Sequence, residues 1–189
     1  MKKILGINAS PRRRGNTEIL LENFLKGASK EGAGVKEIVL NKLNFSPCQE
    51  CENLGRNEIC IVEDDLQELF PEVKNADVVV LASPIFFGSL SAQAKMMIDR
   101  FQCHWRAKEI LKIAAEEKRK KGAFICVEAS GRDDFFRNAR SIVKNFFATV
   151  NAEYSGEVFC KNADEKGAVL KRPEILKEAE SLGMLLAKS

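Results

Sequence analysis

Residues 8–21, NASPRRRGNTEILL, set Arg12, Arg13, Arg14 and Gly15 between an apolar run and a stretch of helical periodicity. The chemistry this combination suits is anion binding. Ser10, Asn16 and Thr17 offer side-chain donors, and Gly15 lets the backbone turn sharply. The helix that follows presents unpaired N–H groups at the positive end of its dipole. One arginine of the three can add a charge-assisted bond. The same residues also read as a plain capped helix, with Asn16 or Thr17 as the cap and the arginines in water. The loop lacks the Gly-Lys-Ser/Thr of a nucleoside triphosphate loop and the Gly-x-Gly-x-x-Gly spacing of a dinucleotide fingerprint.

Two further segments bear on what the anion belongs to. SPIFFGSLS, residues 83–91, follows an unbroken apolar run and puts Phe86, Phe87 and Gly88 at its end. Two large rings there can edge a flat aromatic ligand or close the core against the next helix. ASGR, residues 129–132, offers the small residues Ser130 and Gly131, which permit close approach of backbone to a ligand. A phosphate cradle, an aromatic wall and a small-residue loop together favour a phosphorylated planar cofactor, and FMN fits best.

The third chemistry is that of sulfur. Of the six cysteines, Cys48, Cys51 and Cys60 lie close together, while Cys103, Cys126 and Cys160 are scattered. Cys48 and Cys51 have the spacing of a redox pair. The three with His104, the only histidine, have the makings of a zinc site. Cys126 falls inside an apolar run and reads as core.

The elements that must position these groups alternate along the chain. Strands are expected at residues 3–7, 35–40, 77–82, 122–129 and 153–160. Helices are expected at 17–30, 64–73, 91–102, 108–121, 133–150 and 173–187, with a break near the CHW of 103–105 and Pro71 weakening its helix. Residues 41–61 read as an irregular, cysteine-bearing insertion. Strands alternating with helices imply an α/β protein, a parallel sheet covered on both faces, whose ligands lie beyond the carboxyl ends of the strands.

At 189 residues, 45% apolar and 30% charged, the chain reads as one globular domain. A net charge of +3 gives no general field for polyanions, so no nucleic-acid partner is expected. No run approaches the ~20 apolar residues of a spanning helix, and the short apolar start falls short of a signal segment. A cytoplasmic protein with reduced thiols and no membrane partner is the expectation.

GINASPRRRGNTEILL together with DVVVLASPIFFGSLSAQAKMMIDR resembles the NADPH-dependent FMN reductase family of flavodoxin-like proteins, and the cysteine segment resembles its iron–sulfur flavoprotein branch. The likeness runs from Lys3 to about Arg100; the remainder agrees in layout. It implies a three-layer flavodoxin-like sandwich, residues 1–189, with a five-stranded parallel sheet in the order 2-1-3-4-5. It implies that Ser10, Arg12, Gly15, Asn16 and Thr17 hold the phosphate, with Arg13 and Arg14 in solvent. Pro84, Ile85, Phe86, Phe87, Gly88 and Ser89 then run along the isoalloxazine ring, and Ser130 and Gly131 form a third flavin loop. Phe86 stands where many relatives have tyrosine.

The branch places four cysteines in the insertion, and its third would fall at Leu54. With Cys48, Cys51 and Cys60 alone, a 4Fe-4S cluster lacks a ligand. The thiols are then redox groups, a remnant, or an incomplete cluster that a distant cysteine completes, with Cys103 the first helper to consider. The activity implied is FMN-dependent electron transfer from NAD(P)H or another donor to a small-molecule or protein acceptor. The alternatives are an FMN-binding electron carrier and a binding protein without flavin. A homodimer or homotetramer is implied as well.

Overall fold

A computed structural model of the chain describes residues 1–51, 60–113 and 118–188. Leu54 and the middle of the expected 108–121 helix lie outside those residues.

The apolar runs become strands because they are buried on both faces. In β3 (Val78–Phe86), Val78 and Val80 enter one core and Val79 and Leu81 the other, the two-residue alternation of a central strand. β3 pairs in parallel with β1 (Lys3–Asn8) and β5 (Lys120–Val127). β2 (Gly34–Val39) adds outside β1 and β6 (Ala152–Cys160) outside β5. The order β2-β1-β3-β5-β6 is the expected flavodoxin-like order. The added strand is β4 (Ser89–Leu90), which turns back antiparallel on the end of β3.

Two helical layers cover the sheet. α1 (Asn16–Lys30) and α6 (Pro173–Lys188) pack over Ile4, Val78, Val80 and Ile125. α2 (Leu69–Asn75), α3 (Ala92–Arg100) and α5 (Asp133–Thr149) pack over Leu5, Ile7, Val79 and Phe124. Pro71 falls in the first turn of α2, where its missing N–H removes no helical bond. α1 and α6 touch backbone to backbone: a Cβ on Gly27 would strike the Glu180 carbonyl, and one on Gly183 the Phe24 carbonyl. Gly27→Ala is expected to cost about 1–3 kcal/mol by overpacking, read as a lowered melting temperature; an unchanged melt would mean the helices can part freely.

One expected helix departs from expectation at both of its described ends. α3 ends at Arg100, α4 (Gln102–Trp105) follows, and then comes a π-helical turn at Arg106–Ile110. Of the expected 108–121 helix, residues 108–110 thus fall in the π-helical turn, residues 111–113 are outside any helix, and Lys120 and Lys121 already belong to β5. Their charge hid the strand. Lys120 is buried, with its ammonium donating to the Val150 carbonyl at 3.1 Å, so a solvent-loving side chain begins a core strand. Among the described residues no helix is long and apolar enough to cross a membrane.

Candidate functional site

The carboxyl ends of β1, β3 and β5 open on one cavity of about 120 Å³, bounded by Ser10, Arg12, Gly15, Asn16 and Thr17, by Pro84, Ile85 and Phe86, and by Val127, Glu128 and Ala129. All three expected loops thus reach it, the third through Ala129 alone. Ser10 is held by its own turn: its N–H donates to Asn8 Oδ1 at 3.0 Å, and its Oγ accepts from the Arg12 N–H at 3.2 Å. All three arginines are exposed, but only Arg12 bounds the cavity, its Nη1 donating to the Asp164 carbonyl at 2.7 Å.

Gly15 itself is the helix cap, in place of Asn16 or Thr17. Its φ of −83° is ordinary; glycine is required because a Cβ would sit 2.9 Å from the Arg12 carbonyl oxygen. The left-handed residue of the turn is Arg14, at φ 51°. The Asn16 side chain is spent on structure, donating to the carbonyls of Ala163 at 2.9 Å and Glu165 at 2.8 Å. What the loop offers an anion is therefore the first-turn N–H groups of α1, which have no intrahelical partner, and the Arg12 guanidinium.

Phe86 and Phe87 do not close the core. Phe86 is 45% exposed and Phe87 fully so. Phe87 and Gly88 both have positive φ, 50° and 75°, which makes the two-residue turn between β3 and β4. A phenylalanine in that conformation is strained, and here it holds an apolar ring in water. Asn138 pins the turn from α5, donating Nδ2 to the Gly88 carbonyl at 2.7 Å. At the base, Ser91 Oγ donates to the Ala9 carbonyl at 2.7 Å and Ser83 Oγ accepts from the Ser91 N–H at 3.1 Å, so β1, β3 and α3 are tied at the cavity floor.

The third loop differs from expectation. Ser130 and Gly131 do not bound the cavity, because the turn folds on itself: the Ser130 N–H and Oγ both donate to Glu128 Oε2, at 2.7 and 2.8 Å. Gly131 sits at φ 73° against the Asn162 side chain. The wall is Glu128 instead, 3% exposed, with Oε1 buried and unpartnered. A buried carboxylate oxygen without a donor is costly, and it calls for an O–H or N–H from a ligand. The sequence signal was a charged residue closing the run FICVE. Ala163 and Asp164 also bound the cavity, and nothing local in the sequence marked them.

The cysteines bound a second cavity, of about 610 Å³, that includes Cys48, Cys51, Cys60, Arg100, Cys103 and Arg106. Arg100 organises it and was not anticipated from the sequence. Its side chain is fully buried and all five N–H groups are used, on Cys60 Sγ, the carbonyls of Ser46 and Val62, and both oxygens of Asp64. One side chain of α3 thus clamps both flanks of the cysteine segment. Burial pushes the Cys103 thiol up to about 12, with the neighbouring Cys60 adding to the shift. Cys126 is core, as expected, and burial raises its thiol well above the ordinary range. His104 stacks on Phe70. Among the described residues no three His, Cys, Asp or Glu side chains converge on one ion position, so the zinc reading finds no support.

Burial alone would raise the Asp64 carboxyl, but hydrogen bonds from Arg100 and from the Ser46 and Leu66 amides, with the Arg100 charge, hold it below the usual carboxylate value. A depressed native pKa contributes stability that is present above about pH 4 and lost as pH falls through the native value. Denaturant unfolding of the wild type should therefore weaken below about pH 4 at up to about 1.4 kcal/mol per pH unit for this group. In Asp64→Asn that part of the slope disappears; an identical slope would remove Asp64 from the account.

Comparisons with known proteins show the family and the fold. The family model described as NADPH-dependent FMN reductase matches residues 2–154. The iron–sulfur flavoprotein MJ1083 of Methanocaldococcus jannaschii is 33% identical over 145 residues, covering 77% of this chain and 71% of that protein. An iron–sulfur flavoprotein of Methanosarcina thermophila is 30% identical over 52% of this chain and 51% of its own length, so the chain spans about half of that relative. Among solved structures, an NAD(P)H:quinone oxidoreductase from Methanothermobacter marburgensis superposes with a TM-score of 0.75 at 18% identity, over 97% of this chain and 95% of that one.

Proposed function

We propose, given that this chain belongs to the NADPH-dependent FMN reductase family, that it is a flavin oxidoreductase holding FMN across the ends of β1, β3 and β5. The α1 amides and Arg12 would hold the phosphate, Glu128 would face the ribityl chain, and Pro84, Ile85, Phe86, Phe87, Gly88 and Ser89 would hold the ring. The observation that carries this is Phe87, an exposed ring held in a strained turn beside a ready anion cradle. A cavity of about 120 Å³ is smaller than the ~300–1,000 Å³ of ordinary ligand pockets. It suits the narrow part of such a cofactor, with the flat part outside on the two rings.

FMN when bound supplies the hydride and electron chemistry. The protein's own part is position and electrostatics. Arg12 and the helix dipole balance the phosphate charge, and Glu128 Oε1 accepts from a donor of the bound molecule. The N–H groups of Gly88 and Ser89 stand where the turn meets the ring. Ser130 and Gly131 contribute by keeping Glu128 aimed, through the Ser130 hydrogen bonds. NAD(P)H is the electron donor and a small molecule or protein the acceptor. The thiols of Cys48, Cys51 and Cys60 belong to an iron–sulfur site of the kind named in the relatives. A homodimer or homotetramer is supported by the exposed Trp105, Ile110, Leu111 and Ile113 on and beyond α4.

A visible spectrum of protein purified without oxygen tests the reading, followed by NADH and NADPH oxidation with a soluble acceptor. Two flavin bands with turnover are expected. Flavin without turnover would make the protein an electron carrier, and a colourless protein that takes up no added FMN would end the proposal.

A further inference from the structure

The cavity beside α4 is bounded by cysteines from two separate parts of the chain. Cys48, Cys51 and Cys60 come from the segment between β2 and α2, and Cys103 comes from α4, far along the sequence. We propose that Cys103 is the fourth thiolate of a 4Fe–4S site formed with Cys48, Cys51 and Cys60, taking the place of the cysteine that the iron–sulfur pattern would put at Leu54. This rests on the iron–sulfur reading of the three clustered thiols given above.

Two features of the structure fit a cluster there. Such a cluster takes four thiolates, and four bound this cavity, whereas Cys126 is packed wholly in the core and Cys160 lies with the α6 layer. The space, about 610 Å³, is far more than one ion needs.

The donors also match. Four thiolates around iron and sulfide leave a net negative group, and Arg100 and Arg106 bound the cavity beside Glu50 and Asp99, the latter paired with Lys95. Arg100 Nε already donates to Cys60 Sγ at 3.1 Å, and hydrogen bonds of this kind to sulfur tune a cluster's potential. Arg106 Nε is buried and has no acceptor, so it is a donor waiting for one; a cluster sulfur supplies it. Cys103 has no strong competing partner, its Sγ lying 3.3 Å from the Arg100 carbonyl and 3.3 Å from His104 Nδ1. Binding iron takes the proton off each thiol, so uptake releases protons to solvent and the thiolates carry the ligation.

The test is anaerobic reconstitution of the FMN-loaded full chain with ferrous iron and sulfide, in wild type, Cys103→Ser and Cys126→Ala. Iron, sulfide and FMN are counted per chain, and EPR spectra are recorded before and after dithionite. Wild type and Cys126→Ala are expected to hold about four irons. Cys103→Ser is expected to keep FMN but lose one iron or the whole cluster. A Cys103→Ser protein with the wild-type iron count and spectrum would overturn the proposal while leaving the three-cysteine reading intact. Wild type that holds FMN but takes no iron would overturn both. Should Cys103→Ser lose FMN and fail to fold, Mössbauer spectra of wild type reconstituted with iron-57 decide. Four irons with uniform, all-sulfur isomer shifts are expected, whereas one iron with the distinct shift of an oxygen-ligated site would refute the assignment.

Discussion

Arg100→Met is expected to lower stability by about 3–5 kcal/mol, the usual consequence of removing one partner from a buried ion pair. Methionine fills most of the volume, so the loss is electrostatic more than steric. Asp64 would keep a mostly buried carboxylate with only two amide donors, and the Ser46 carbonyl would lose its Arg100 donor, while the Val62 carbonyl keeps Gln67 Nε2. For a chain of this length each kcal/mol moves the melting temperature by about 2–4 °C, so a drop near 10 °C is expected by calorimetry. Arg100→Met/Asp64→Leu should recover part of it, because the orphaned charge is then gone. A single variant that melts with the wild type would show that the clamp contributes nothing. The same substitution frees both flanks of the cysteine segment, so Cys60 should react with alkylating reagents faster than in the wild type.

Arg12→Ala is expected to raise the FMN dissociation constant by about 10- to 100-fold. A hydrogen bond to a charged group contributes about 1.5–3 kcal/mol, and each 1.4 kcal/mol is tenfold in affinity. Because the Arg12 side chain is exposed and its partner is a single carbonyl, the fold should hardly notice the loss. Two controls separate the phosphate from everything else. Riboflavin, which lacks the phosphate, should bind Arg12→Ala and wild type alike. Arg13→Ala and Arg14→Ala should bind FMN as the wild type does, since neither side chain bounds the cavity. Flavin fluorescence titrations at fixed salt measure all four. Equal weakening for riboflavin would place Arg12 away from the phosphate.

The fold and the loops that bound the cavity were legible because both follow from local rules. An unbroken β-branched run such as DVVVL can only be a strand with both faces buried, and its alternation with amphipathic helices leaves few arrangements open. A glycine-containing turn before a helix presents unpaired N–H groups that suit an anion. The failures have equally physical causes. Lys120 starts a core strand because its ammonium reaches a carbonyl at the strand's end, a tertiary partner no window of sequence contains. Ser130 and Gly131 looked like ligand-facing small residues, yet Glu128 captures the serine and turns its own carboxylate to the cavity.

By itself, then, the sequence determined the α/β layout, the glycine-containing turn between β1 and α1, the aromatic turn after β3 and the presence of clustered thiols. Only the tertiary structure decided that Glu128 rather than Ser130 and Gly131 walls the cavity, that Phe86 and Phe87 stand in solvent, and that Cys103 shares a cavity with Cys48, Cys51 and Cys60. Those outcomes depend on where separate helices and loops come to rest against the sheet. Local residue patterns encode the elements, but the packing of α3 and α4 against the cysteine segment, held by the five hydrogen bonds of Arg100, sets which side chains meet.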